Sequence, residues 1–123
     1  MNADNDETIE RNRRGWDTIS ASYQAERRIS TDDVHYGPNA PGERVLGLLR
    51  EGDQSTQDSV QGKAVVEIGC GGGQNAIALS RWGAECTGVD PSAAQLAHAQ
   101  ALARARGVKV RFLQGAAEDL SKL

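Results

Sequence analysis

The chain has 123 residues, a net charge of −3 and a pI near 5.3, enough for one domain with a modest core. That balance excludes a wholly basic nucleic-acid binder, and no apolar run is long enough to cross a bilayer. Hydrophobic residues make up 38 % and aromatics 4 %, low for a self-sufficient globular domain.

The first residues, MNADNDETIERNRRGWD, are polar and mixed in charge, without the apolar centre of a signal peptide. A cytoplasmic protein without membrane or nucleic-acid partners is the expectation. Cys70 and Cys86 match no zinc spacing, and only His35 and His98 are available to complete a site. No metal is expected, and both thiols read as small packing residues. Ser121-Lys122-Leu123 spells a peroxisomal address at a true C-terminus, and we read it as a coincidence of the polar EDLSKL stretch.

In chain order, residues 1–7 read as disordered. Ile9, Trp16, Ile19 and Tyr23 then recur near helical spacing, predicting an amphipathic helix from Thr8 to about Tyr23, interrupted near Gly15. Residues 29–42, with two prolines and two glycines, form a loop. ERVLGLLR (43–50) reads as a short helix with Val45, Leu46 and Leu49 on one side, and 51–62 as a polar surface connection. From residue 63 the pattern becomes regular. KAVVEI (63–68) predicts a buried parallel strand, Gln74 to Trp82 a helix with Ile77, Ala78 and Leu79 inward, and AECTGV (84–89) a second strand. The alanine-rich stretch from Pro91 to Arg106 is a strong helix former stopped by Gly107, and VKVRFL (108–113) is a third strand. The expected architecture is α/β. It has a Rossmann-like parallel sheet of order 3-2-1, helices on both faces, and a helical lid segment (1–62) before the ligand-binding half-domain (63–123).

The chemistry concentrates where the first strand ends, in Glu67-Ile-Gly69-Cys70-Gly71-Gly72-Gly73. Ligands of open parallel sheets bind past the carboxyl ends of the strands. Glycines there let a ligand approach backbone N–H groups, and the following helix N-terminus adds favourable dipole for an anionic group. A dinucleotide fingerprint counted from Gly69 needs glycine where Gln74 stands, and a P-loop needs Gly-Lys-Ser/Thr, which is absent. The pattern acid-x-G-x-G-x-G that remains resembles the first motif of class I S-adenosylmethionine-dependent methyltransferases.

The resemblance implies a cofactor that is cationic, with an ammonium and a sulfonium, where a dinucleotide carries a pyrophosphate. A carboxylate beside the loop favours the former and repels the latter. It implies that Gly69, Cys70, Gly71 and Gly73 line the cofactor and that Glu67 sits near its amino group. Alternatively, Glu67 caps loop amides. Asp90, at the end of the second strand, corresponds to the acid that accepts hydrogen bonds from the ribose hydroxyls, or else caps the helix at Pro91. Where the family often has an Asp that meets the adenine amino group, this chain has Ala116. The Ala117 N–H remains for an adenine nitrogen, Glu118 is a possible substitute, and Pro91 and Leu113 are candidate walls. Tyr23, His35 and Tyr36 fall in segments that fold over the cofactor in the family. His35 is a candidate general base or simply a turn histidine.

The family fold has seven strands in the order 3-2-1-4-5-7-6, and this chain supplies the first three, as an N-terminal, cofactor-binding portion would. The expected function is transfer of a methyl group to a small-molecule acceptor. A non-catalytic binding or assembly module and an NAD(P)-binding oxidoreductase domain are the alternatives. The outer edge of the first strand is expected to lack a partner, which invites a homodimer through that edge.

Overall fold

The computed structural model describes residues 3–27 and 29–123. Its elements run α1 (Ala3–Arg27), α2 (Glu43–Leu46), α3 (Thr56–Val60), β1 (Ala64–Ile68), α4 (Gln74–Arg81), β2 (Glu85–Asp90), α5 (Ala93–Ala105) and β3 (Arg111–Gln114). The three strands form one parallel sheet in the order β1-β2-β3. Strand register aligns Val65 with Cys86 and Glu67 with Gly88, so these four side-chain positions share one face.

Both connecting helices cover that same face, not the two faces expected. Right-handed crossovers that advance the sheet in one direction place their helices on one side. The close packing of Gly73, at the start of α4, against Ala99 of α5 and Phe112 of β3 reports this arrangement. The opposite face stays open near β1. Val66 and Ile68 are 47 % and 41 % exposed, so β1 is half-buried and not the buried strand its apolar run suggests. The core lies under α4, where Ala76, Ala78, Leu79 and Trp82 pack with Val34, Val60, Ala84 and Cys86. Ile77 is fully buried.

α1 is longer than its periodicity predicts and runs unbroken through Gly15, starting inside the segment expected to be disordered. Ion pairs at i,i+3 and i,i+4 support it: Glu7 with Arg11, Glu10 with Arg13 and Arg14, and Arg13 with Asp17. Its docked stripe is polar, contrary to the apolar face expected, and Ile19 is exposed. Asp17 accepts from the Ser92 hydroxyl (2.6 Å) and the Ala94 N–H, at the start of α5. Ser20 and Gln24 both donate to Gln95 Oε1 at 2.9 Å, and Gln74 Nε2 donates to Gln24 at 2.6 Å. Residues 17, 20 and 24 thus tie α1 across the N-termini of α5 and α4.

The helix at Glu43 stops at Leu46 because Gly47 turns left-handed, and its apolar residues face outward, Val45 at 76 % exposure. Glu43 is buried instead. It accepts from the Tyr36 hydroxyl, the Leu49 N–H (2.7 Å) and the Thr56 hydroxyl (2.9 Å), and so ties residues 36–56 together. The polar stretch expected as a surface connection contains α3, capped by Ser55 and burying Thr56, Ser59 and Val60.

Candidate functional site

The loop after β1 takes its shape from its glycines and from Asp90. Gly69 and Cys70 donate N–H groups to Val89 O (2.7 and 2.9 Å), so the chain leaves the sheet without losing those bonds. Gly69, Gly71 and Gly73 all hold positive φ, and the Gly73 N–H closes a turn on Cys70 O at 2.9 Å. Asp90 Oδ2 accepts from the Gly71 N–H (2.8 Å) and Oδ1 from the Ser92 N–H (2.9 Å). Ser92, not Asp90, is the N-cap of α5, accepting from the Gln95 N–H. The acid therefore braces the glycine loop from the neighbouring strand, a role the sequence reading did not contain. The packing glycine is Gly73: a Cβ there would lie 2.8 Å from Ala99 Cβ and 3.0 Å from Phe112. Close helix–strand approach is thus retained although Gln74 breaks the dinucleotide spacing.

A cavity of about 610 Å³ opens beside this loop. Glu67, Gly69, Cys70, Gly71, Asp90 and Pro91 line it from the sheet side, and Tyr23 and His35 from the lid side. Gly73 does not line it but supports its floor by packing. Tyr23 stacks edge-to-face with Trp16, centroids 5.1 Å apart, and both rings wall the cavity. A smaller recess of about 210 Å³, lined by Ile9, Ile68, Ala116, Ala117 and Glu118, adjoins it. Gly69, Pro91 and Asn12 line both. Leu113 lines neither. Tyr36 is not brought to the cavity, because its hydroxyl is held by Glu43, and burial together with that carboxylate pushes its ionisation upward. Among the described residues no cluster of His, Cys, Asp and Glu could hold a metal ion.

The electrostatics centre on Glu67. Burial raises its carboxyl to about 7, against the favourable pull of the Asn75 side chain and the Ala76 N–H, and the Asp90 charge raises it further. Its Oε1 is buried without a hydrogen-bond partner among the described residues. A carboxylate in that condition favours a cation and opposes a pyrophosphate. Burial lowers the His35 ionisation, which keeps the ring neutral near pH 7. Burial, with Glu67 and Asp90 nearby, pushes the Cys70 thiol up to about 12, and burial pushes Cys86 up to about 11. Neither is a nucleophile at neutral pH.

Sequence reasoning missed Asn12, Trp16, Gln24, Asn75 and Gln95. Trp16 and Tyr23 lie on the stripe that apolar spacing gives, and Asn12, a polar member of it on α1, is what apolar counting leaves out. Asn75 and Gln95 are polar positions on helices, which in sequence look like solvated faces.

The fold and the loop are similar to the first-motif half of class I, Rossmann-like methyltransferase domains. The methyltransferase-domain family model matches residues 65–123. The chain is 42 % identical over 62 residues to the ubiquinone biosynthesis O-methyltransferase of Azorhizobium caulinodans, covering 50 % of this chain and 24 % of that protein. It is 33 % identical over 96 residues to the uncharacterized methyltransferase YcgJ of Bacillus subtilis, covering 73 % of this chain and 38 % of the relative. The chain therefore spans well under half the length of these curated relatives. Among solved structures, the cyclase SpnF superposes on 91 % of this chain and 44 % of its own, at 23 % identity and a TM-score of 0.62. That likeness extends the shared fold to the N-terminal helical segment and carries no reaction with it.

Proposed function

We propose that this chain is the S-adenosylmethionine-binding portion of a methyltransferase with a small-molecule acceptor. The observation that carries the proposal is Glu67, which has one buried, unpartnered oxygen and lines a cavity beside a left-handed glycine loop. The residues present fit the cofactor. Glu67 would receive its ammonium, and Asp90, with lone pairs left after bracing Gly71, its ribose hydroxyls. Pro91 and Ala117, with Ile9 and Ile68, would enclose the adenine in the smaller recess. The cofactor, when bound, supplies an electrophilic methyl group to an acceptor nucleophile. The chain's own work is to orient it and exclude water, with α1 part of a lid segment (residues 1–62) over the binding half (63–123).

His35 is the acceptor-side base of this proposal, being neutral and exposed to the cavity. We further propose that β1 pairs with β1 of a second copy, because its outer edge has no strand partner among the described residues.

Calorimetric titration with S-adenosylhomocysteine tests the central assignment. The wild-type chain is expected to bind, and Glu67→Ala to lose roughly tenfold or more in affinity, the scale of a charge-assisted contact. Equal affinity in both would remove Glu67 from the cofactor site, and no binding by the wild type would remove the cofactor.

A further inference from the structure

A second cavity, of about 660 Å³, lies between the 29–32 segment and helices α4 and α5. It adjoins the glycine-loop cavity where Gln24 lies against Gly72, and these two residues line both. No residue assigned to the cofactor lines it. Its anchor is Thr31, which is 4 % exposed. Arg106 Nε donates to the Thr31 hydroxyl oxygen at 3.0 Å. Arg81 Nη1 donates to the same oxygen at 3.4 Å and to Thr31 O at 3.2 Å. Arg81 ends α4 and Arg106 caps α5, so two guanidinium groups from two helix ends converge on one buried hydroxyl. The helix dipole favours a basic residue at each C-terminus, but it does not bring two of them to one atom.

Only one of these charges is neutralised nearby. Arg81 Nη1 pairs with Asp32 at 2.5 Å, whereas Arg106 makes no ion pair among the described residues. Asp32 is also the one acid among the described residues that line the cavity. The walls therefore carry net positive charge in a chain whose own net charge is −3. The Thr31 oxygen accepts two bonds, which leaves its hydrogen to donate. His98, two turns before Arg106 on α5, adds a ring donor, and Ile29 and Leu102 supply apolar surface.

We propose that this cavity binds a small molecule through an oxyanion group, a carboxylate or a phosphate, seated on Arg106 and the Thr31 hydroxyl. With Nε committed to Thr31, Arg106 keeps both Nη groups for the anion, and a guanidinium meets either oxyanion with paired N–H groups. The apolar part of the ligand rests on Ile29 and Leu102. The site does not depend on the cofactor reading, since none of its donors belongs to the glycine-loop cavity.

Amide NMR titration of the 123-residue chain, near neutral pH and at fixed ionic strength, tests the site with inorganic phosphate and with benzoate. At least one probe is expected to shift the amides of residues 30–32 and 102–106 saturably. Saturation by phosphate, by benzoate or by both supports the site and decides which oxyanion it takes. Saturation by neither overturns it. Arg106→Gln and His98→Asp are each expected to weaken binding roughly three- to tenfold, the second by placing a carboxylate in the cavity. Arg111→Gln removes one charge from β3 outside the cavity and is expected to leave the affinity unchanged. The β2 amides report the fold of each variant. His98 is exposed, so its variant carries the test if Arg106→Gln does not fold. Unaltered affinity in a folded Arg106→Gln or in His98→Asp, equal weakening by Arg111→Gln, or shifts centred on residues 69–73 would each overturn the proposal.

Discussion

Glu67 titrates in the direction opposite to most of the chain's shifted carboxylates. Asp17 is held low by the Ser92 hydroxyl and the Ala94 N–H, and Asp119 by Ser121, so their stabilising contributions are present above the unfolded value and lost as pH falls through the folded one. Glu67 is raised from 4.5 to about 7, so the native state keeps a proton that the unfolded chain releases. Its contribution is therefore full below about 4.5, declines as pH rises, and is gone above about 7. Urea unfolding at pH 5 and pH 8 should show the wild type less stable at the higher pH, by on the order of 1–3 kcal/mol from this residue. Glu67→Gln should flatten that difference, and an unchanged slope would show that burial does not perturb the carboxyl. The candidate role of Glu67 was legible in its position before the glycines. Its orphaned oxygen was not, because burial by α4 and Asn75 is a property of the assembled site.

At the scale of elements, the glycine loop performs two jobs that its spelling does not distinguish. Gly69 has positive φ and open space where a Cβ would stand, whereas Gly73 has positive φ and two side chains pressed against that point. Gly73→Ala should cost about 2–4 kcal/mol, from left-handed strain together with overpacking against Ala99 and Phe112. Gly69→Ala should cost only the backbone part, about 1–2 kcal/mol. Chemical denaturation of the two variants gives the comparison, and equal losses would contradict the packing role of Gly73. The helices show the converse limit of sequence reading. α4 and α5 were readable from their apolar positions, with Ile77, Ala78 and Leu79 buried as expected. The docking face of α1 was not, because Asp17, Ser20 and Gln24 form a polar stripe whose partners, Ser92 and Gln95, lie about 75 residues away. Such a stripe reads as solvated until its hydrogen bonds are found.

For the whole molecule, the strongest physical consequence is the sheet's open flank. Among the described residues β1 is paired only with β2, and Val66 and Ile68 stand exposed beside that edge. Light scattering of the 123-residue chain should report self-association that increases with concentration, and Val66→Lys should shift it toward monomer by placing charge on the edge strand. A monomer at every concentration would dispose of the homodimer. No helix among the described residues is long and apolar enough to cross a membrane. Taken alone, the sequence determined the alternation of strand and helix from residue 63, the glycine loop with its preceding acid, and the resemblance to methyltransferases that they carry. These are local patterns, written in periodicity and in residue types with few alternative uses. The tertiary structure decided which face the helices cover, that Asp90 braces the loop it follows by 19 residues (90 − 71), and that Tyr36 serves Glu43 and not the cavity. Crossover handedness and long-range hydrogen bonds settle such matters, and both depend on contacts between residues that the order of the chain keeps apart.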